Sequence, residues 1–482
     1  MVAFSADDPN GSRPFAISRK WELAIVKTIL TTFAGCIVLF VGLAQVQAQA
    51  PVKIYPKTNA VAIQTDNPAN NSTGADMRLA PAIRRTDRMR YRIWVDNKHT
   101  EGWISNNDVY DAHQAIAGFP GLIAAAPNEP HNYYWRGAAN LELGHLQDAL
   151  DDFTHLIQLT KTADPTRRAM AYTGRAMVWC AMNRFDSAIL DCNEAIRIDG
   201  ACALACYFRG VANSGKEEFD AAISDFASAI SRDSLLAIAC DARGMAYARK
   251  KMFEDAMADY TRAIQIDPHL DLARAHLADA YNQRGFTQEK NQQWDKAIAD
   301  YTRAIQIDPN FAEALHGRGR AKLKKQEYVT AIVDLNDAIR AARGLATPYP
   351  HFAEVCSDCG SAYAQNRQYR MAIDTLDEAI RRNPNLADAW NHLAWLYATC
   401  ADPNFRNPRE AVNSALRARD ITQLKNDKYL ATLAAAYAES GQFPEAVVWL
   451  QAAMTVNPKN DKALRNEMMQ LFKQQSPYHE TR

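Results

Sequence analysis

The decapeptide Asp-Tyr-Thr-Arg-Ala-Ile-Gln-Ile-Asp-Pro occupies Asp259–Pro268 and returns unchanged at Asp300–Pro309. Internal duplication constrains the fold more than any other feature of the chain. A repeated unit cannot bury its apolar face alone, so it must stack on copies of itself. Stacked copies give an elongated array, not a globule built around a cleft.

A ruler extends the duplication. Ala256 is followed four, seven and twelve residues later by Tyr260, Ala263 and Pro268. The pattern returns at Ala297, Tyr301, Ala304 and Pro309, at Ala372, Leu376, Ala379 and Pro384, and at Ala446, Leu450, Ala453 and Pro458. Offsets of four and seven share one helical face. Proline then stops the helix, because it lacks an N–H and disfavours a helical residue before it. Twelve residues ahead of the leading alanine stands a small residue: Gly137, Gly210, Gly244, Gly319 and Gly360, or Ala176 and Ala434. Glycine inside a helix costs about 1 kcal/mol against alanine. Its reuse at one site predicts a close helix–helix crossing that admits no side chain.

This pattern resembles the tetratricopeptide repeat family, in which two antiparallel helices fill about 34 residues. The resemblance covers Asp111 to Lys473 and implies an all-α right-handed solenoid over 111–475. Nine units have second helices beginning near Ala149, Ala188, Ala222, Ala256, Ala297, Ala331, Ala372, Ala411 and Ala446. A half unit precedes them at Ala115, Phe119, Leu122 and Pro127, interrupted by Pro120-Gly121. Asp461–Lys473 reads as a capping helix and 476–482 as a disordered tail.

Several intervals exceed 34. Ala256 to Ala297 spans 41 residues, and the extra seven, around Asn282–Asn291, equal about two helical turns, which keeps the buried face in phase. Ala331 to Ala372 also spans 41, but Pro348 and Pro350 make that excess a loop. Ala188 comes five residues late, behind Lys161–Arg168, and Cys400–Pro408 inserts between the helices of the eighth unit.

Ahead of the repeats the pattern changes. Thr28–Ala44 is an apolar run behind Arg19, Lys20 and Lys27, followed by small residues to Ala50. Residues 1–48 therefore read as a signal peptide, cleaved after Ala48, or as an uncleaved N-terminal membrane anchor. Tyr91, Ile93 and Val95 alternate with polar or aromatic neighbours and are followed by a polar turn and Gly102-Trp103-Ile104, a predicted hairpin. Val52–Gln64 reads as a weaker strand pair. The block Gly102–Val109 is similar to the last strands of bacterial SH3-like barrels, which makes 51–110 a candidate small all-β domain. The expected location is exported, periplasmic or extracellular, or anchored by the N-terminal segment.

Fifty-five basic and fifty-five acidic residues leave no net charge, and no single-sign block suggests a nucleic-acid binder. Nothing matches a phosphate loop, a nucleophile elbow or a zinc-protease motif, and the histidines do not cluster with acids. Cys356 and Cys359 form a Cys-x-x-Cys without a second ligand pair, and Cys356 shares its slot with Cys206 and Cys240, so these read as small buried hydrophobes. Neither enzyme activity, cofactor nor metal is expected.

What remains is surface. The resemblance implies that first helices line a groove for an extended peptide or a helix of another protein. In units one to four that groove would display Tyr134, Met170, Met177, Leu204, Tyr207, Val211, Ile238 and Met245. Units five to nine would display Asp279, Asn282, His316, Arg320, Lys324, Asn391 and Trp395. The first set is apolar and Met-rich, as adaptable partner-binding surfaces tend to be. The sequence therefore reads as a non-catalytic interaction scaffold. The alternative is an envelope structural or adaptor protein contacting the cell wall through its SH3-like segment.

Overall fold

The computed structural model describes strands between 54 and 111 as backbone, and residues 112–480 apart from 162–164, 269, 346–348, 424–425 and 459. The leader or anchor expected over 1–48 lies outside the described residues. The chain divides into two compact units, 1–273 and 274–482.

The first unit opens with β1 (Ile54–Pro56), β2 (Ala62–Thr65), β3 (Ser72–Thr73), β4 (Arg78–Arg84), β5 (Arg88–Val95), β6 (Lys98–Ser105) and β7 (Val109–Asp111). One antiparallel sheet has the order β3-β2-β6-β5-β4, and β1 pairs with β7. Strands β5 and β6 form a hairpin in which Val95 faces Lys98 and Arg88 faces Ser105. The expected pairing inside Val52–Gln64 does not form. Instead β1 pairs across the segment with Val109–Asp111, while β2 pairs with β3 and β6.

Helix α1 (Ala112–Ala125) runs unbroken through Pro120. Ala115 and Phe119 are fully buried, whereas Pro120 and Gly121 are exposed. The hydrogen bond that proline forfeits thus lies on the water-facing side, and the interruption expected there does not occur. Four hairpins follow: α2 (Pro130–Glu142) with α3 (Leu146–Leu159), α4 (Pro165–Ala181) with α5 (Phe185–Ile198), α6 (Ala203–Gly215) with α7 (Phe219–Arg232), and α8 (Ala237–Arg249) with α9 (Phe253–Ile266).

The unit boundary falls inside α10 (Asp271–Lys290), which pairs with α11 (Trp294–Ile307). The second unit continues with α12 (Ala312–Lys324) and α13 (Tyr328–Arg343), α14 (Phe352–Gln365) and α15 (Tyr369–Arg382), α16 (Ala387–Thr399) and α17 (Pro408–Thr422), and α18 (Asp427–Glu439) and α19 (Phe443–Val456). Helix α20 (Lys462–Lys473) closes the series, burying Met468 and Phe472. Within each unit, hairpins pack on one another in chain order, the arrangement of an α-solenoid.

Glycine and aromatic residues set the spacing. A Cβ on Gly210 would meet the Phe226 ring at 2.7 Å, one on Gly244 the Tyr260 ring at 2.7 Å, and one on Gly319 the Leu335 side chain at 2.7 Å. The residue met is in each case the bulky member of the ruler on the hairpin's own second helix. Gly285 plays the same part against Tyr301 and belongs to the series, although the small residues read from the sequence do not include it. Some rings are clasped from both sides: Gly137 and Gly174 flank Phe153, and Gly285 and Gly317 flank Tyr301. Neighbouring repeats are thus keyed by one ring between two absent side chains.

Turns between paired helices also repeat. Asn183, Glu217, Lys251, Gln292, Gln326 and Arg367 adopt φ between 57° and 63°. The next N–H reaches the carbonyl five residues back, as in Met252 to Tyr247 (3.0 Å) and Glu327 to Lys322 (3.0 Å). That bond satisfies a carbonyl the helix end would otherwise leave open.

Helix α10 is 20 residues long where α12 has 13. The extension by whole turns is present, but not around Asn282–Asn291. Gly285 lies as far from the turn at Gln292 as Gly244 does from Lys251, so the added residues lie ahead of it, at the start of the helix. An interval measured only from alanine to alanine cannot locate an insertion within itself. Between Cys400 and Pro408 the chain forms a short 3-10 turn, Pro403–Phe405, whose Phe405 ring lies 5.5 Å from Tyr369.

Candidate functional site: the faces of the first helices

One ion pair recurs in six successive hairpins. The residue ahead of the small position is arginine, and it donates to an aspartate sixteen residues on: Arg136 to Asp152, Arg175 to Asp191, Arg209 to Asp225, Arg243 to Asp259, Arg284 to Asp300 and Arg318 to Asp334. The shortest distances are 2.6 or 2.7 Å, and each aspartate side chain is under a tenth exposed. Burial raises the Asp152 pKa against the opposing bonds of Arg136. Breaking such a buried pair from one side costs about 3–5 kcal/mol. The seventh hairpin puts Cys359 and Thr375 in these slots, the eighth Leu393 and Ser414, and the ninth Leu433 and Trp449. The pairs fix the two helices of a hairpin and leave the rest of the first helix free to vary. The signal is in the sequence, as arginine before glycine (alanine at Arg175-Ala176) with aspartate at a constant offset.

In the first unit the expected groove residues separate into two groups. Tyr134, Leu204, Val211, Ile238 and Met245 are half-buried, and Met170 is 40% exposed. Met177 and Tyr207 are core, at 4% and 0% exposed. The Tyr207 ring lies 5.0 Å from Phe208 and 5.7 Å from Phe226, and burial pushes its phenol well above the ordinary value. Helical periodicity gave the right angle for both residues. It could not give their coverage: Tyr207 occupies a slot covered by the next hairpin, where Asp241 is its buried neighbour. The same slot holds Thr173, His316 and Ser357, all buried, and Tyr134 of the first hairpin, which is half-buried.

In the second unit the equivalent faces carry hydrogen-bonded charge. Glu289 accepts from Arg320 Nε (2.9 Å) and Nη2 (2.8 Å) and from the Tyr301 hydroxyl (2.8 Å). His316 Nε2 lies 2.8 Å from Asp358 Oδ2, and Ser357 Oγ lies 3.3 Å from His392 Nδ1. Burial alone would raise the Asp358 pKa, but the His316 bond and the nearby Arg320 guanidinium help hold it below the ordinary range. Burial lowers that of His392. Burial raises the Asp279 pKa, partly opposed by its bond from Gln283. Asn282 is half-buried and Lys324 exposed, while Asn391 keeps a buried Oδ1 without a hydrogen-bond partner. Trp395 donates to Glu480.

That last contact overturns the expectation of a disordered tail for the described part, 476–480. Ser476 N–H bonds Leu471 O (2.9 Å), and Glu480 N–H bonds Thr399 O (2.8 Å). The Cys356 and Cys359 thiols are buried and free, each pushed up to about 12 by burial, as expected of small buried side chains. Among the described residues no three His, Cys, Asp or Glu side chains are grouped to hold a metal, and no helix is long and apolar enough to cross a membrane.

These are stacked antiparallel helical hairpins whose second-helix alanines, inserted rings and small first-helix residues recur in register, the class of α-helical repeat scaffolds. Tetratricopeptide repeat models match residues 237–270, 278–311 and 359–399, the first two beginning seven residues ahead of Gly244 and Gly285. The chain is a tetratricopeptide repeat protein, and such repeats bind other proteins or peptides. Among curated proteins, none matches the sequence. Similar solved structures include the APC/C hetero-tetramer Cut9-Hcn1, with 14% identity over 75% of this chain and 87% of that one at a TM-score of 0.38. YrrB, described as a TPR protein with an unusual peptide-binding site, is 20% identical over 41% of this chain and 95% of its own at 0.31. TTC0263, a thermophilic TPR protein of Thermus thermophilus, is 20% identical over 35% and 90% at 0.32.

Proposed function

We propose that the first unit holds an apolar or amphipathic segment of a partner protein against Tyr134, Met170, Leu204, Val211, Ile238 and Met245, without catalysis. The observation that carries this reading is the recurrence of apolar side chains, half-buried or exposed, at two matching slots of neighbouring first helices, Met170, Leu204 and Ile238 in one and Val211 and Met245 in the other. A peptide laid there gains from burying them, and the unbranched chains of Met170 and Met245 can adapt to more than one sequence. Met177 and Tyr207 support the site from within the core.

The test is a peptide array probed with the full chain and with a Leu204→Lys/Met245→Glu variant. Amphipathic peptides should be retained by the first and lost by the second, at unchanged helical circular dichroism. Equal retention would refute the assignment.

A second reading makes residues 51–110 an SH3-like segment through which an exported or anchored chain contacts cell-wall material. The paired strands β4 to β6 favour it. Sedimentation with peptidoglycan should be lost from a chain lacking 51–110; sedimentation unchanged by that deletion would count against it.

A further inference from the structure

After α20 the chain turns at Gln475 and runs through Pro477, whose fixed φ favours extension, across the first helices of the eighth and ninth hairpins. Three consecutive residues then each find a partner. The Tyr478 ring lies 6.2 Å from the Trp395 indole and joins the apolar cluster around Leu430 and Met468. His479 Nε2 lies 2.6 Å from Glu439 Oε2, a carboxylate whose other oxygen lies 3.4 Å from Arg406 Nε. Glu480 is held at both ends: its N–H bonds Thr399 O (2.8 Å), and its carboxylate accepts from Trp395 Nε1 (2.8 Å). Thr399 ends α16, so its carbonyl has no partner within the helix and is free to read a passing backbone.

Closing the stack does not require this segment. Helix α20 already covers the last hairpin with Met468 and Phe472, and Arg465 caps α19 by donating to the Ala453 and Asn457 carbonyls. Beyond it, Tyr478, His479 and Glu480 are only half-buried and bound largely by polar contacts. Main-chain bonding combined with distinct sites for successive side chains is how an extended peptide is recognised. Trp395 also follows the small residue Ala394, the slot that Val211 and Met245 fill after their glycines.

We propose that Trp395, Thr399 and Glu439 form a second peptide-binding site, selective for an extended aromatic–histidine–acidic segment, which Tyr478–Glu480 occupy in cis. A partner segment of that chemistry binds by displacing them. The surface is separate from the one assigned in the first unit, so either assignment can fail alone.

The probe is a fluorescein-labelled peptide of residues 474–482, followed by anisotropy. A chain ending at Gln475 should bind it at least about tenfold more tightly than the full chain, because a tethered occupant competes at roughly millimolar effective concentration. Trp395→Ala in the shortened chain should reverse the gain, as should Tyr478→Ala in the peptide. Should shortening disturb folding, full-length His479→Glu replaces it: a second carboxylate against Glu439 expels the segment and should raise binding by a similar factor. No binding by a helical shortened chain, or equal binding by the full chain and His479→Glu, would overturn the proposal.

Discussion

One hairpin frame carries two kinds of first-helix face. In the first unit, the slots around the small residue show Met170, Leu204, Val211, Ile238 and Met245. In the second, equivalent slots hold Asp279, Arg320 and Trp395, each bonded to another side chain. The frame does not account for the difference, since the arginine–aspartate pairs run through both units, from Arg136 to Asp334. Glycine clasps and ion pairs hold the repeat, so residues on the open face can be chosen for what they meet. Where they meet each other, as Arg320 meets Glu289, the face is part of the protein's stability. Where they meet water, it is available.

The comparison breaks most readily at Glu289. Glu289→Ala leaves Arg320 without its bidentate acceptor and should destabilise the second unit by about 3 kcal/mol, read as a lower urea midpoint. A Met170→Glu change in the first unit should cost under about 0.5 kcal/mol while weakening peptide retention, because that side chain is exposed. Comparable losses from both would remove the distinction.

Next in size are the clasps, which should be indifferent to the face they support. Gly210→Val and Gly319→Val each drive a side chain into a packed partner, Phe226 in one case and Leu335 in the other. Each should cost about 2–3 kcal/mol in thermal denaturation, alike in the two units. A marked inequality would show that the frame itself differs.

A smaller effect sharpens the contrast through pH. Burial keeps the His392 pKa low. The unfolded chain takes up that proton below the ordinary value of about 6.5, so acidification favours unfolding. Stability of the second unit should fall with pH from there to the folded pKa, by at most about 1.4 kcal/mol per pH unit. Asp358, held low, adds its own loss only below the ordinary carboxylate value of about 3.9. His392→Gln should flatten the upper slope in urea midpoints measured between pH 7 and 5, and a slope that survives would place its source elsewhere.

The register of the repeats is legible because it is local. Alanine, ring and small residue recur at fixed offsets, and the structure places them at the crossings the offsets imply. The arginine–aspartate pairs are equally local, but the Arg-Gly dipeptide draws the eye to its glycine alone. Other features lie beyond local pattern. Tyr207 has the spacing of a groove residue, yet the following hairpin covers it, and coverage depends on how repeats stack. The two extra turns of α10 can be counted from the sequence but not located. Tyr478–Glu480 carry too little apolar character to mark a docked segment, and their partners lie as far back in the chain as Trp395.

Hydrogen exchange on the full chain, with and without an amphipathic peptide retained on the array, tests the division of labour most directly. Peptide should slow exchange in Ala203–Gly215 and Ala237–Arg249 and leave Ala312–Lys324 and Phe352–Gln365 unchanged. Protection confined to the latter pair, or spread evenly over all four helices, would contradict it.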